Sequence, residues 1–155
     1  MIENMSTDTK SIISIQNNQQ EERRMQKLKV LLADDHESFR SVLATFLRAQ
    51  QGVELVGEAV DGVEAIAKSD ELEPDLVLMD IHMPRRNGIE ATKDIKNHRP
   101  QTKVVMMSMD SSENYQRTAR IVADGYIPKS SMKDLLVLLL ANERGNQLSL
   151  SVSAA

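Results

Sequence analysis

Between Lys29 and Asn142 the chain alternates unbroken apolar runs with longer stretches whose apolar residues recur every three or four positions. Val30-Leu31-Leu32-Ala33 is apolar throughout and stops at Asp34-Asp35, the pattern of a strand buried on both faces. Phe39, Val42, Leu43, Phe46 and Leu47 then mark an amphipathic helix, with Gly52 as its expected C-cap. A second strand, Val53 to Ala59, alternates only in part, and Asp61-Gly62 breaks the chain and caps a helix holding Val63, Ile66 and Ala67. After Pro74, Asp75-Leu76-Val77-Leu78-Met79-Asp80 repeats the first theme of an apolar run ending in an acid. Ile89, Thr92 and Ile95 define a third helix, closed by Pro100. Lys103 to Met107 is a fourth strand that stops at Ser108. A weakly amphipathic helix from Ser111 to Ala123, a short strand from Gly125 to Pro128 and a fifth helix from Lys133 to Asn142 complete the series. Five strands alternating with five helices through short loops predict a doubly wound α/β domain with a five-stranded parallel sheet.

The flanks read differently. Residues 1–27 are polar and carry the run Gln16-Asn17-Asn18-Gln19-Gln20 before Glu21-Glu22-Arg23-Arg24. They hold too little apolar surface to offset ordering entropy, so a disordered tail is expected there rather than a short apolar turn at Ile12, Ile13 and Ile15. The domain is placed at 28–142, and 143–155 is a Ser-rich tail too short for a helix-turn-helix.

Composition narrows the function. At 155 residues and 41% hydrophobic the chain suffices for one ordinary domain. A net charge of −4 gives no global basic field for nucleic acid. The absence of cysteine excludes disulfides, thiolate catalysis and zinc–cysteine sites. The longest apolar stretch, Leu135 to Leu140, is far short of the roughly 20 residues of a membrane span, and no signal peptide opens the chain. A cytoplasmic protein is expected.

The candidate chemistry lies at the carboxyl ends of the strands, where doubly wound folds bind ligands. Asp34 and Asp35 end the first strand, Asp80 the third and Ser108 the fourth, while Lys129 follows the fifth. Singly, each has an ordinary use: a helix cap, a loop carboxylate, a backbone-satisfying hydroxyl, a solvated charge. Together, three acids, a hydroxyl and a lysine expected in one crevice suit phosphoryl transfer. Crowded carboxylates call for a hard divalent cation such as Mg²⁺, and one of them can act as nucleophile. The metal, Lys129 and Ser108 would clamp the equatorial oxygens. Asp80, on the central strand, is the best-placed nucleophile.

These motifs resemble the receiver domain of two-component response regulators. The resemblance covers about Lys29 to Asn142 and is carried by Val30 to Asp35, Asp75 to Pro84 with Asn87-Gly88, Val104 to Ser108, and Asp124 to Ser130. It implies a flavodoxin-like fold with strand order 2-1-3-4-5 and Asp80 as phosphoacceptor. It further implies Mg²⁺ held by Asp34, Asp35, Asp80 and the His82 backbone carbonyl, with Ser108 and Lys129 contacting the phosphoryl group. Tyr126 matches an aromatic switch residue that turns inward when the Ser108 hydroxyl moves toward the phosphate. Pro84 stiffens the loop after Asp80, and Gly88 is expected at positive φ.

The function implied is a signalling module rather than an enzyme. It would be phosphorylated by a sensor histidine kinase or a histidine phosphotransfer protein and would signal by a change of conformation. Leu32 to His36 and Gly125 to Ser130 look most like the LuxR-type branch, here expected as a single-domain receiver without DNA binding. Three positions depart or tune. Met109 stands where a small residue is usual, predicting narrowed access or a stiffer loop, and His82 and Asp110 occupy positions that set the lifetime of the phosphate. The fifth helix, apolar around more than a turn at Leu135 to Leu140, suggests a homodimer or output-partner surface. A phosphatase of the haloacid dehalogenase type also uses a strand-end Asp with Mg²⁺, but it needs a second acid two residues on, where this chain has His82. A pseudo-receiver that ignores phosphate is disfavoured by the full set of five site residues.

Overall fold

A computed structural model of the chain describes residues 4–110, 112–134, 136–137 and 141. Five parallel strands, β1 (Leu28–Ala33), β2 (Val53–Ala59), β3 (Leu76–Asp80), β4 (Lys103–Ser108) and β5 (Gly125–Pro128), form one sheet in the order β2-β1-β3-β4-β5. This is the expected flavodoxin-like order. Helices α1 (Thr7–Met25), α2 (Glu37–Ala49), α3 (Gly62–Leu72), α4 (Gly88–His98) and α5 (Glu113–Val122) stand before or between the strands.

The unbroken apolar runs follow from the pleat, because both faces of the inner strands are covered. Val30, Leu32, Leu76, Leu78, Val105 and Met107 pack with Leu43, Ala44 and Leu47 of α2 and with Met132 and Leu136 near the C-terminus. The alternate residues Leu31, Ala33, Val77, Met79 and Val104 pack on the opposite face, with Ala65 of α3 and Ala91 and Ile95 of α4. A third, small cluster joins Ile81, Met106, Ala119 and Tyr126 beside α5.

Three expectations change. Thr7–Met25 is helical rather than disordered. Ser6 caps it by accepting from Thr9 N–H, Asp8 stands in its first turn, and neither Gly nor Pro occurs before Gly52. Capping and the lack of helix breakers admit a helix although the apolar content is low, and Ile12 and Ile15 remain more than half exposed. Second, Gly52 carries a positive φ of 77° in the turn into β2, while Gln50 is the C-cap of α2. Third, Gly88 is not among the residues at positive φ; Arg85, at φ 62°, takes the left-handed position in that loop. Gly88 is needed for space instead, since a Cβ there would collide with the Asp80 carbonyl.

Ser111, Leu135, Leu138, Leu139, Leu140 and residues 142–155 lie outside the described residues, so the apolar run of the helix expected from Lys133 to Asn142 is described only at Leu136, which is buried, and Val137, which is half exposed.

Gly88→Ala should lower stability by about 1–3 kcal/mol in urea denaturation, because backbone rather than a flexible side chain blocks the added methyl. Gly125→Ala, whose Cβ would meet only Val105 Cγ2 at 3.4 Å, should stay within about 1 kcal/mol of the parent.

Candidate functional site

Strand register builds the site. Ala33 pairs with Met79 and Asp80 with Met107, so Asp34, one residue past the end of β1, lies level with Asp80 on the neighbouring strand. Both belong to the sheet face of Leu32 and Leu78, which carries α2. Ser108 pairs with Pro128, and Lys129 follows immediately.

Asp34 and Asp80 are buried, at 0% and 2% exposure. Lys129 Nζ lies 2.7 Å from Asp34 Oδ2 and 3.4 Å from Asp80 Oδ1. Asp34 uses its other oxygen to accept from His36 N–H at 2.9 Å, fixing the turn into α2. Asp34 is thus not the cap expected of an ordinary strand-end acid, since His36 is the N-cap of α2; one of its oxygens holds the turn and the other faces the site. Asp35 is more open, with His36 Nδ1 3.1 Å from its Oδ1.

Ligand atoms of Asp34, Asp35, His36 and Asp80 all lie within 4.8 Å of one another. Asp80 Oδ2 is buried and accepts no hydrogen bond. Three carboxylates on one small volume, one of them with an unpartnered buried oxygen, fit a hard divalent cation such as Mg²⁺.

Electrostatics agree with the geometry. Burial, then the charge of Asp34, push the Asp80 carboxyl up to about 7 against the opposing pull of Lys129; Asp35 adds to the rise. One ammonium does not balance three crowded acids.

Ser108 is buried beside this cluster but is differently engaged. The pleat sets it on the face of Met106 and Tyr126, opposite to Asp80. Its Oγ accepts from Asp110 N–H at 3.0 Å. Tyr126 is already inward at 8% exposure, and its hydroxyl donates to the Asp110 carbonyl at 2.9 Å. Burial, then the Asp110 charge, hold the phenol above its ordinary pKa, so it stays a donor. Four of the five strand-end residues thus meet directly, while the fifth joins a loop network with Tyr126.

The remaining positions resolve simply. Met109 is 75% exposed, so its side chain points to solvent rather than narrowing the site. The exposed His82 ring packs edge-on against Tyr115, with centroids 4.8 Å apart. Asp110 is occupied in its own loop, accepting from Ser112 N–H.

The sequence reading did not single out two neighbours of the cluster. His36 stands at its rim, and the ring of Phe39 lies 4.4 Å from Lys129 Nζ. His36 is signalled only by following Asp34-Asp35. Phe39 falls on the apolar stripe of α2, where nothing separates it from core.

Comparison with known proteins agrees with this geometry. The family model of the response regulator receiver domain matches residues 30–141. Response regulator protein VraR of Staphylococcus aureus is 42% identical over 124 residues, 78% of this chain and 59% of VraR. The chain thus spans less than two thirds of the length of that relative. The response regulator domain of Thermotoga maritima CheB superposes with a TM-score of 0.69 at 30% identity, covering 79% of this chain and 100% of that one. A LuxR-family two-component response regulator from Aurantimonas sp. SI85-9A1 gives a TM-score of 0.67 at 27% identity, covering 74% and 86%.

The raised Asp80 pKa has a consequence for stability. Unfolded, this carboxyl titrates near 3.9. Between about pH 4 and 7 the folded state binds the extra proton, so stability contributed here is present at low pH and falls as pH rises through that window. In chelator, Asp80→Asn should therefore melt above the parent at pH 8, and the gap should close by about pH 4. Melting curves of both proteins across that range provide the check.

Proposed function

The chain belongs to the response regulator receiver family, and from that premise we propose that Asp80 is its phosphoacceptor. The observation that carries this reading is the burial of Asp80 in one cluster with Asp34, Asp35 and Lys129. The domain is taken as 28–142, flanked by 1–27 and 143–155.

An Asp80 carboxylate oxygen attacks phosphorus as the bond to the donor nitrogen breaks, giving an acyl phosphate and a free imidazole, which takes up a proton. Asp34 and Asp35, with Asp80 and the His82 carbonyl, hold Mg²⁺, which when bound supplies charge neutralisation and favours the nucleophilic anion of Asp80. Lys129, already between Asp34 and Asp80, donates to one phosphoryl oxygen. The Ser108 hydroxyl reaches another by leaving Asp110 N–H, and this movement couples to Tyr126 through the shared loop. Ser108 and Tyr126 are on this reading the switch pair.

The chain is a signalling module, and its phosphoryl donor is a sensor histidine kinase or a histidine phosphotransfer protein. No helix among the described residues is long and apolar enough to cross a membrane, in keeping with a cytoplasmic location. A homodimer or an output partner is assigned to the C-terminal helix on the strength of its apolar sequence, Leu135 to Leu140.

Incubation with Mg²⁺ and acetyl phosphate should add the mass of one phosphoryl group to the wild type and none to Asp80→Asn. No gain with this donor or with a phosphorylated histidine protein would sink the proposal. Mg²⁺ alone should raise the melting temperature of the wild type, and by less in Asp34→Asn.

A further inference from the structure

Lys129 is an unusual lysine in being almost fully buried, its side chain 3% exposed. Burial of an ammonium is costly unless every side of it is compensated. Two sides are met by carboxylates, Asp34 at 2.7 Å and Asp80 at 3.4 Å. A further side meets no oxygen among the described residues; there the Phe39 ring presents itself, 4.4 Å from Nζ to the ring centroid. An aromatic ring carries negative charge on its face and attracts a desolvated cation.

Beyond that ring lies an opening. A cavity of about 350 Å³ is lined by Phe39, Val42, Phe46, Ser130 and Met132, with Lys129 itself on its wall. A lysine stem has four rotatable carbons, and the cavity offers it a route away from the acids. Phe39 borders both that route and the ammonium. α2 holds the ring there, since Leu43, Ala44 and Leu47 anchor the helix in the core and Phe39 packs against the same cluster.

We propose that Phe39 is a positioning residue for Lys129, its ring face fixing the ammonium at the phosphoryl site and closing the route into the cavity. The inference rests on the reading of Asp80 as phosphoacceptor only for its kinetic consequence; the placement itself does not.

Two readouts test it. In protein labelled with ¹³C-lysine, the ε-methylene of Lys129, assigned by its loss in Lys129→Arg, should show an upfield ring-current shift. That shift should vanish in Phe39→Leu, which keeps apolar bulk without the ring face, and persist in Phe39→Tyr. With Mg²⁺ and acetyl phosphate, Phe39→Leu should lower the initial rate of phosphate incorporation about three- to thirty-fold, and Phe39→Tyr should restore it to within about twofold. A packing role alone would cost the same with or without the ammonium, so the discriminating measurement repeats Phe39→Leu on a Lys129→Ala background, where no further loss is expected. An unshifted Lys129 signal in the wild type, an unchanged rate in Phe39→Leu, or equal losses in both backgrounds would overturn the assignment. If the wild type takes up no phosphate, the Asp80 reading fails and the ring-current measurement alone decides the role of Phe39.

Discussion

Two buried carboxylates facing one buried ammonium set the terms for the rest of this molecule. Asp34 and Asp80 stand level on adjacent strands, and Lys129 bridges them from beyond β5. Such a triad is expensive to bury. The sheet meets that cost with strands that are apolar on both faces, so that the charged groups lie only where the strands end. Negative charge remains in excess, and the system answers by holding Asp80 near 7. A site in this condition favours a bound cation, which relieves the crowding.

The loops around Asp80 are fitted to one another as closely as the strands are. Gly88 N–H donates to the Ile81 carbonyl at 2.8 Å, and Gly62 N–H donates to the Arg86 carbonyl at 3.1 Å, so the loops before α3 and α4 touch through backbone. A side chain at either glycine would strike that backbone. Arg85, held at a positive φ that costs a non-glycine residue about 1–2 kcal/mol, reaches back to form an ion pair with the buried Asp61. Burial opposes ionisation of Asp61, but the Glu64 N–H and Arg85 outweigh it and hold the carboxyl below its usual range. The segment after Asp80 is thereby fastened on both sides, which keeps the acceptor's oxygens in one place.

Much of this was legible in the order of residues. Apolar runs ending in acids identify inner strands and, at the same stroke, the edge where chemistry collects, so Asp34, Asp35, Asp80 and Lys129 could be placed together before any coordinates. What was not legible depends on geometry finer than periodicity. Ser108 is adjacent to the acids along the sheet edge, yet the pleat turns it to the other face, a distinction of one residue in register. Gly88 has the composition of a turn glycine, but its constraint is a neighbouring carbonyl rather than its own φ. The helix at Thr7–Met25 escaped because a count of apolar surface ignores a capped segment free of glycine and proline. Phe39 escaped because a residue can belong to the core stripe and still turn its ring face to a charge.

The same one-residue distinction explains how a change at Asp80 can be felt elsewhere. The acids and Lys129 share the face packed by α2, where, among the described residues, thirteen buried ones form a continuous core that resists displacement. Ser108 and Tyr126 share the other face at the β4–β5 edge, where among the described residues the buried cluster is Ile81, Met106, Ala119 and Tyr126, with Ile89, Tyr115, Val122 and Ala123 partly buried against it. Few packed contacts mean a low cost of rearrangement. Asp110 ties Ser108 and Tyr126 together, giving its N–H to Ser108 and its carbonyl to the Tyr126 hydroxyl. If Ser108 turns to a phosphoryl oxygen, the Asp110 N–H loses its acceptor and the loop must shift, carrying the acceptor of the Tyr126 hydroxyl with it. The densely packed face therefore carries the acids and Lys129, and the sparsely packed face, one residue away across the pleat, carries Ser108 and Tyr126.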